Sequence, residues 1–284
     1  MFEPQEAARI FACPPGADFP MSLINGLDER MRGRPPQATA EVEIFVNTRR
    51  MQRRILEIYD QRPAQFIPRL RLVTDLAGDV TLTDLAPTVS ALGRRLELSQ
   101  LISALLDNQP DLASRAALFD LADSLALLLS EMQDEGVEFR TIAGLDVTDR
   151  SGHWKRSLTF LGIVDRFFGA ASADAPDDAA RQRLVTEALI ANWGISPPKH
   201  PIIVAGSTGS RGSTAMLMRA VANLEQGALV LPGFDMHLPA AAWAALGNAA
   251  TGEDHPQYRF AHLLGSLDVD PPKVSCWDDN DTTP

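Results

Sequence analysis

The sequence predicts an α/β protein whose sheet is interrupted by a helical insertion. Short apolar runs bounded by Gly or Pro, which are typical of strands, alternate with helical segments near both ends of the chain. The middle of the chain has helical periodicity throughout. These changes of pattern divide the chain into a first α/β part (1–75), a helical insertion (76–198), a return of the α/β part (199–277) and a tail (278–284).

The first part contains three predicted strands and two predicted helices. The strands fall within residues 9–16, 41–46 and 69–73. Asp18 is expected to cap the first helix, which ends near Gly33, because Asp is a favoured residue before the first turn of a helix. Either Asn47 or Thr48 is expected to cap the second helix, over residues 47–60.

The insertion carries apolar stripes at helical spacing, and the strand pattern returns after it. The stripes are Leu118, Leu121, Leu125, Leu128 and Met132, and then Trp154, Leu158, Leu161, Val164 and Phe168. A polar loop (171–180) and a helix (181–193) complete the insertion. Strands are then predicted at 202–205, 227–235 and 273–277, and helices at 213–224, after Leu238 and at 254–267. The tail is expected to be disordered.

The composition argues against several classes of protein. The net charge of −11 argues against a chain that coats nucleic acid along its whole surface. Two cysteines cannot form a disulfide framework or a four-thiolate metal site, and the chain has no apolar run of the roughly 20 residues that a membrane span needs. With no signal-peptide pattern after Met1, we predict a cytoplasmic protein that does not contact membranes.

Positive charge is concentrated in one stretch. Residues 30–71 hold ten arginines and four acidic residues, a local charge of +6. The arginines are residues 30, 32, 34, 49, 50, 53, 54, 62, 69 and 71. Such a stretch on an acidic chain predicts either one positive surface or a set of arginines paired with carboxylates elsewhere.

A glycine turn follows the predicted strand 202–205, in the stretch Gly206-Ser-Thr-Gly209-Ser-Arg211-Gly212. A strand, a glycine turn and a helix present backbone N–H groups to phosphate. The turn is no Walker loop, because Arg211 stands where the second glycine is required. Gly212 comes one residue late, and Ser213 stands after it where the lysine is required. It comes closer to the dinucleotide loop of short-chain dehydrogenases, with Asp235 as a ribose ligand. Few residues follow it, however, and the chain lacks a Tyr-x-x-x-Lys.

Nine ordered segments together resemble the N-terminal part of the AddB family of double-strand break repair proteins, in its alphaproteobacterial form. The segments are FACPPGADFP, VEIFVNTRRMQRRI, FIPRLRLVTDLA, RRLELSQLI, DLADSLALLLSEMQDEGV, SGHWKRSLTFLGIV, PIIVAGSTGSRGSTA, VLPGFD and DHPQYRF. The resemblance covers residues 8 to about 277.

The resemblance implies a RecA-like, P-loop NTPase-like parallel sheet with a helical insertion, as in a superfamily 1 helicase. It also implies a role in DNA repair and recombination, as the AddB subunit of a helicase–exonuclease that resects broken DNA with an AddA-type partner subunit. The family's iron–sulfur cluster and Mg²⁺ belong to a nuclease region outside the matched segments. We therefore expect no cofactor or metal, and no catalytic residue, in this chain.

Carried onto this sequence, the helicase elements look degenerate. The phosphate loop would lie at Pro14, Pro15, Gly16, Ala17 and Asp18, which supply no Gly-Lys-Thr and in which two residues lack a backbone N–H. The Asp-Glu pair that holds Mg²⁺ would follow strand 202–205, where Ala205-Gly206 stands instead. ATP hydrolysis needs both elements, so we expect none.

The resemblance implies two DNA-binding segments. They are Asn47, Thr48, Arg49 and Arg50, and the glycine turn with Gly206, Gly209, Arg211 and Gly212. In the turn, small residues would allow close approach of the DNA backbone, and Arg211 would meet a phosphate. Three functions stay open at this point: a DNA-repair subunit fragment that does not hydrolyse ATP, a nicotinamide-dependent oxidoreductase using residues 206–212, and an α/β protein-docking module.

Overall fold

The computed structural model describes residues 1–5, 7–78, 88–143, 160, 162, 176–209, 212–248 and 252–278. The pattern of contacts divides the chain into two compact units. One unit is formed by Met1–Leu76 together with Ala188–Pro284, and the other is Ala77–Glu187. The second unit therefore ends at Glu187, whereas the sequence pattern placed the end of the insertion at residue 198.

The first unit is built around a sheet of six strands, all parallel, in the order β3-β2-β4-β5-β1-β6. The strands are β1 (Ile10–Ala12), β2 (Glu43–Val46), β3 (Arg69–Leu72), β4 (Ile202–Ala205), β5 (Gly227–Leu231) and β6 (Ser275–Cys276). β4 and β5 are buried along their whole length, as expected of central strands covered on both faces. The α/β prediction is confirmed, and the sheet is compatible with a RecA-like fold.

The helices were predicted largely in place. In chain order they are α1 (Phe19–Met31), α2 (Ala38–Glu41), α3 (Arg49–Asp60), α4 (Ala91–Asn108), α5 (Leu118–Glu135), α6 (Phe139–Ala143), α7 (Asp178–Ile195), α8 (Gly212–Ala222), α9 (Ala240–Ala245) and α10 (Tyr258–Ser266). None of these described helices is long and apolar enough to cross a membrane.

Side-chain caps explain where the two helices nearest the candidate site begin. Asp18 caps α1 and accepts a hydrogen bond from the Met21 backbone N–H at 3.5 Å. Thr48, rather than Asn47, caps α3, and its Oγ1 accepts from the Met51 N–H at 3.2 Å. Each bond satisfies one of the N–H groups that the first turn of a helix leaves without a partner.

The direction of the connections places the helices on the two faces of the sheet. From β1 the chain moves to β2 and then to β3, toward the β3 edge of the sheet. From β4 it moves to β5 and then to β6, toward the β6 edge. Since such crossovers are right-handed, α1 and α3 cover one face and α8 covers the opposite face. The core of the α1 and α3 face includes Leu23, Leu27, Ile55, Ile44 and Ile203, all nearly or fully buried.

The second unit is helical in its described part. α4 and α5 pack around Leu98, Ile102, Leu106, Ala122, Leu125 and Met132. This cluster confirms that the stripe at 118–132 is a core stripe. The helix predicted at 154–168 and most of the loop predicted at 171–180 lie outside the described residues, as does the tail after Asp278.

Several predicted boundaries were wrong near the end of the chain. β5 ends at Leu231 rather than at residue 235, because Gly233 adopts a left-handed backbone with φ of +63° that a strand cannot continue. α10 begins at Tyr258 instead of 254. The last strand keeps two residues, because Pro271–Lys273 forms a 3₁₀ turn before it.

Candidate functional site

The segment predicted to be a degenerate phosphate loop follows β1 and forms a tight turn. The Ala17 N–H donates to the Pro14 carbonyl at 3.4 Å, with Pro15 second and Gly16, at φ +88°, third. This residue pattern is that of a type II turn. Pro14 and Pro15 have no N–H, and the N–H of Ala17 is taken by Pro14. Little backbone N–H capacity therefore remains here to hold a phosphate.

Asp18 places a negative charge at the start of α1. Besides capping the helix, its Oδ2 lies 3.5 Å from Nη2 of Arg54 on α3. A carboxylate is stabilised at the positive end of a helix, which is where a phosphate would otherwise bind. A phosphate entering this position would meet the Asp18 carboxylate.

Gly206 follows β4 directly, and side chains of α1 and α3 pack closely against it. Its φ is +77°, and a Cβ at this residue would lie 2.7 Å from Sδ of Met51 and 3.2 Å from Cε1 of Phe19. Met51 belongs to α3 and Phe19 is the first residue of α1. These two side chains therefore lie next to the end of β4, the position at which the resemblance predicts the missing carboxylate pair.

Gly209 is also surrounded by protein. Its φ is +66°, and a Cβ would lie 3.4 Å from both Cδ1 of Leu263 and Sδ of Met218. Its N–H donates to Oγ of Ser207 at 3.2 Å, and Ser207 is itself buried. A left-handed backbone accounts for a glycine at both Gly206 and Gly209, and at Gly206 a close side chain does so as well. The predicted approach of a DNA backbone to these glycines stays a prediction.

The two predicted DNA-binding segments meet at the carboxyl ends of β2 and β4. The side-chain amide of Asn47 donates to the carbonyl of Gly206, which joins the start of α3 to the glycine turn. Gly212 begins α8. Arg211 lies outside the described residues, so its predicted phosphate contact stays a prediction.

This meeting point is a topological switch point of the sheet. β2 and β4 are neighbours, and the chain leaves them toward opposite edges of the sheet. In open parallel sheets such divergence leaves a crevice at the carboxyl ends of the strands, where ligands bind. The sheet has a second such point between β1 and β5, where the Phe234 N–H donates to the Cys13 carbonyl at 3.0 Å.

Arg49, Arg50 and Arg53, which we call the α3 arginine cluster, are exposed at the start of α3. Within the described chain, none of their guanidinium groups has a hydrogen bond or an ion pair. α3 has no acidic residue in its first turn. Arg49 and Arg50 lie in the first turn, where a cation is disfavoured by roughly 0.3–1 kcal/mol. An anionic ligand would relieve this penalty, so the exposed positive charge of the cluster suits such a ligand.

Other arginines of the basic stretch are paired. Arg54 meets Asp18, Arg62 meets Asp28 at 2.6 Å, and Arg71 meets Glu43 at 2.9 Å. The basic stretch is thus divided between structural ion pairs and an unpaired surface. Sequence reasoning did not single out Arg53, although its spacing of four residues from Arg49 places both on one face of a helix.

Asp235, the ribose ligand of the dinucleotide alternative, lies four residues beyond the end of β5. Its Oδ1 accepts from the His237 N–H at 2.9 Å, and its own N–H donates to Gln257 at 3.1 Å. The nearly buried side chain of Gln257 also donates to the Gly233 carbonyl at 2.8 Å. These bonds engage Asp235 in a local turn, which weakens the oxidoreductase alternative.

No protein-family model matches the chain, and no curated protein is significantly similar to it. The resemblance to the AddB family therefore depends on the nine sequence segments alone.

Proposed function

We propose that this chain is the N-terminal, helicase-like region of an AddB-type subunit, which binds DNA without hydrolysing ATP. The observation that carries the proposal is the α3 arginine cluster at the switch point between β2 and β4. Two of its three unpaired cations, Arg49 and Arg50, lie in the segment that the resemblance assigns to DNA, and Arg53 is one helical turn further on. Arginine donates to phosphate oxygens in a planar, bidentate geometry, which suits a nucleic-acid backbone.

The surroundings of the site favour binding over hydrolysis. Phosphoryl transfer needs a cradle for the phosphate charge and a carboxylate that holds Mg²⁺. The loop after β1 offers two prolines and Asp18 in place of a cradle. The end of β4 offers Ala205 and Gly206, with Met51 and Phe19 packed against them. The proposed role of the helicase-like fold is therefore to bind DNA without hydrolysing ATP.

The resemblance to the AddB family supports further proposals about the partner and the process. The partner would be an AddA-type helicase–nuclease subunit, and the process would be resection of double-strand breaks for recombination. The iron–sulfur cluster and Mg²⁺ of the family would serve its nuclease region. The protein-docking alternative shares the fold but requires no DNA contact by the α3 arginine cluster.

Salt-dependent binding to single-stranded DNA tests the proposal. We expect a fluorescein-labelled 20-nucleotide dT oligomer to bind the protein, and Arg49→Ala with Arg50→Ala to weaken binding. If both arginines meet phosphates, the slope of log K against log salt should fall in magnitude by about 1.4, since each phosphate contact contributes roughly 0.7 on single strands.

A matched control removes the same charge elsewhere. Arg140 and Arg259 are both exposed, and the double variant Arg140→Ala with Arg259→Ala should keep the parent slope. If the slope falls equally in the two double variants, the effect is one of net charge alone. An unchanged slope in the Arg49 and Arg50 variant would reject the proposed contact. Tight binding of a nicotinamide cofactor, measured by fluorescence titration, would favour the oxidoreductase instead.

A further inference from the structure

A pocket opens at the amino ends of β2 and β3, the end of the sheet opposite the α3 arginine cluster. It has a volume of about 460 Å³ and is lined by Pro36, Thr39, Ala64, Gln65 and Phe66. Thr39 belongs to α2, which immediately precedes β2, and residues 64–66 lie in the segment that leads into β3. A four-residue strand spans about 13 Å, so the pocket is separated from the cluster by about that distance along β2.

Phe66 gives the pocket an exposed aromatic wall. Its side chain is 54% exposed, and the neighbouring Ile67 is 38% exposed. Phe66 and Ile67 are adjacent in sequence, so the rim of the pocket carries two exposed apolar side chains rather than one. Aromatic side chains in this position stack on nucleobases, each of which has a π-face of matching size. Gln65 beside it carries an amide that can both donate to and accept from a base edge.

Arginines without carboxylate partners flank the pocket. Arg69 Nε donates to the carbonyl of Ala40, the residue after Thr39, at 3.3 Å. Arg34 is two residues from Pro36, so their Cα atoms lie within about 7 Å. Within the described ranges, Arg32, Arg34 and Arg69 have no carboxylate partner. Glu41, which lies between Arg34 and Arg69 in sequence, is likewise without an ion pair there. The charge around the pocket is therefore positive.

We propose that this pocket binds one base of single-stranded nucleic acid, stacked on Phe66, while Arg34 and Arg69 contact the adjoining phosphates. Exposed aromatic rings combined with cations are the features of surfaces that bind single strands with little sequence preference. The inference rests on the proposed function, since it adds a second contact for a chain that binds DNA. An acidic protein segment is the competing occupant, and it would not need a planar ring to stack on.

The experiment uses the same dT oligomer and a matched pair of phenylalanine variants. Phe119 is 52% exposed and lies under Arg95, but that arginine is paired with Asp123 at 2.7 Å. We expect Phe66→Ala to weaken binding by about fivefold or more, and Phe119→Ala to leave it unchanged. Phe66→Trp should retain affinity, and its added fluorescence should be quenched as the oligomer saturates. Both alanine variants should keep the parent melting temperature, because both rings are exposed.

The outcomes separate this inference from the proposed function. If Phe66→Ala binds the oligomer as the parent does while Arg49→Ala with Arg50→Ala weakens binding, the pocket proposal is overturned and the proposed function stands. If Phe66→Ala weakens binding and the arginine variant does not, the pocket proposal stands and the site assigned to α3 fails. Quenching of Phe66→Trp by a poly-glutamate peptide but not by the oligomer would assign the pocket to a protein partner.

Discussion

Gly206 stands where the chain leaves β4, and its neighbours explain why the residue is glycine. The left-handed backbone at φ +77° strains any residue with a Cβ, and the Met51 sulfur occupies the space where that Cβ would point. The glycine therefore allows α3 to lie close to the end of β4. From the sequence alone, the same glycine was equally consistent with close approach by a ligand.

Replacement of Gly206 tests this explanation against a matched glycine. Gly16 has a similar φ of +88°, but no atom lies within 4 Å of the position that its Cβ would take. Gly16→Ala should therefore cost only the backbone strain of about 1–2 kcal/mol. Gly206→Ala adds a close contact with the Met51 thioether and one with Phe19. The thioether is the flexible end of its side chain and can shift, so we expect a further loss at the lower end of the range for overpacking, about 1 kcal/mol.

Urea unfolding of the two variants measures the difference. A loss of stability in Gly206→Ala no larger than in Gly16→Ala would contradict the packing role. If that equal loss came with weaker binding of the dT oligomer, the glycine would instead serve close approach of DNA.

β1, the following turn and α1 are connected as in a nucleotide-binding element. Their residues do not favour a bound phosphate. The Pro14–Ala17 turn is closed by its own hydrogen bond, and α1 begins at a carboxylate that also pairs with Arg54. The positive end of the helix is thus neutralised from within the chain. α3 differs, because Thr48 caps it without a charge and Arg49 and Arg50 follow directly. Of the two helix starts, α3 is the one that attracts an anion.

From these helix starts we expect no ATP turnover by the purified protein, with or without single-stranded DNA. A coupled assay that detects released ADP measures this. Asp18→Ala is the control, because it removes the carboxylate at the helix start but keeps both prolines and provides no lysine. It should stay inactive and lose about 0.5–1 kcal/mol of stability with its cap. Turnover above a protein-free blank that disappears in Asp18→Ala would contradict the expectation.

At the scale of the whole molecule, the last strand of the sheet, β6, packs next to the first strand, β1. β6 pairs with β1, and the Trp277 N–H donates to the Ala12 carbonyl at 2.9 Å. The Trp277 indole is fully buried and donates to the Leu23 carbonyl of α1 at 2.9 Å. The Arg30 guanidinium lies 3.8 Å from the centre of the indole ring. Residues near the two ends of the chain therefore share one core.

Trp277→Ala should destabilise the first unit severely. Removing a buried Trp costs about 3–5 kcal/mol, and here the change also leaves the Leu23 carbonyl without its indole donor. Trp193→Ala in α7 is the control, because that side chain is only half-buried. Chemical denaturation followed by circular dichroism should show a much larger loss for Trp277→Ala. Similar losses in the two variants would mean that β6 and Trp277 are not needed to close the unit.

Local patterns in the sequence determined most of the elements of this protein. The caps at Asp18 and Thr48, the apolar strands around residues 44 and 203, and the helical stripe at 118–132 depend on neighbours within a few residues. Hydrophobic periodicity and helix-start chemistry are readable without the fold. The candidate site at the start of α3 and at the glycine turn was predicted differently, from the resemblance to the AddB family.

Only the tertiary structure decided which of these residues remain available to a ligand. Arg54, Arg62 and Arg71 pair with acids 28 to 36 residues away in sequence, whereas the α3 arginine cluster stays unpaired within the described chain. The glycines of the turn face Met51 and Leu263, which come from distant helices. Pairing and packing between residues far apart in sequence depend on the order of strands in the sheet, and local periodicity carries no information about that order.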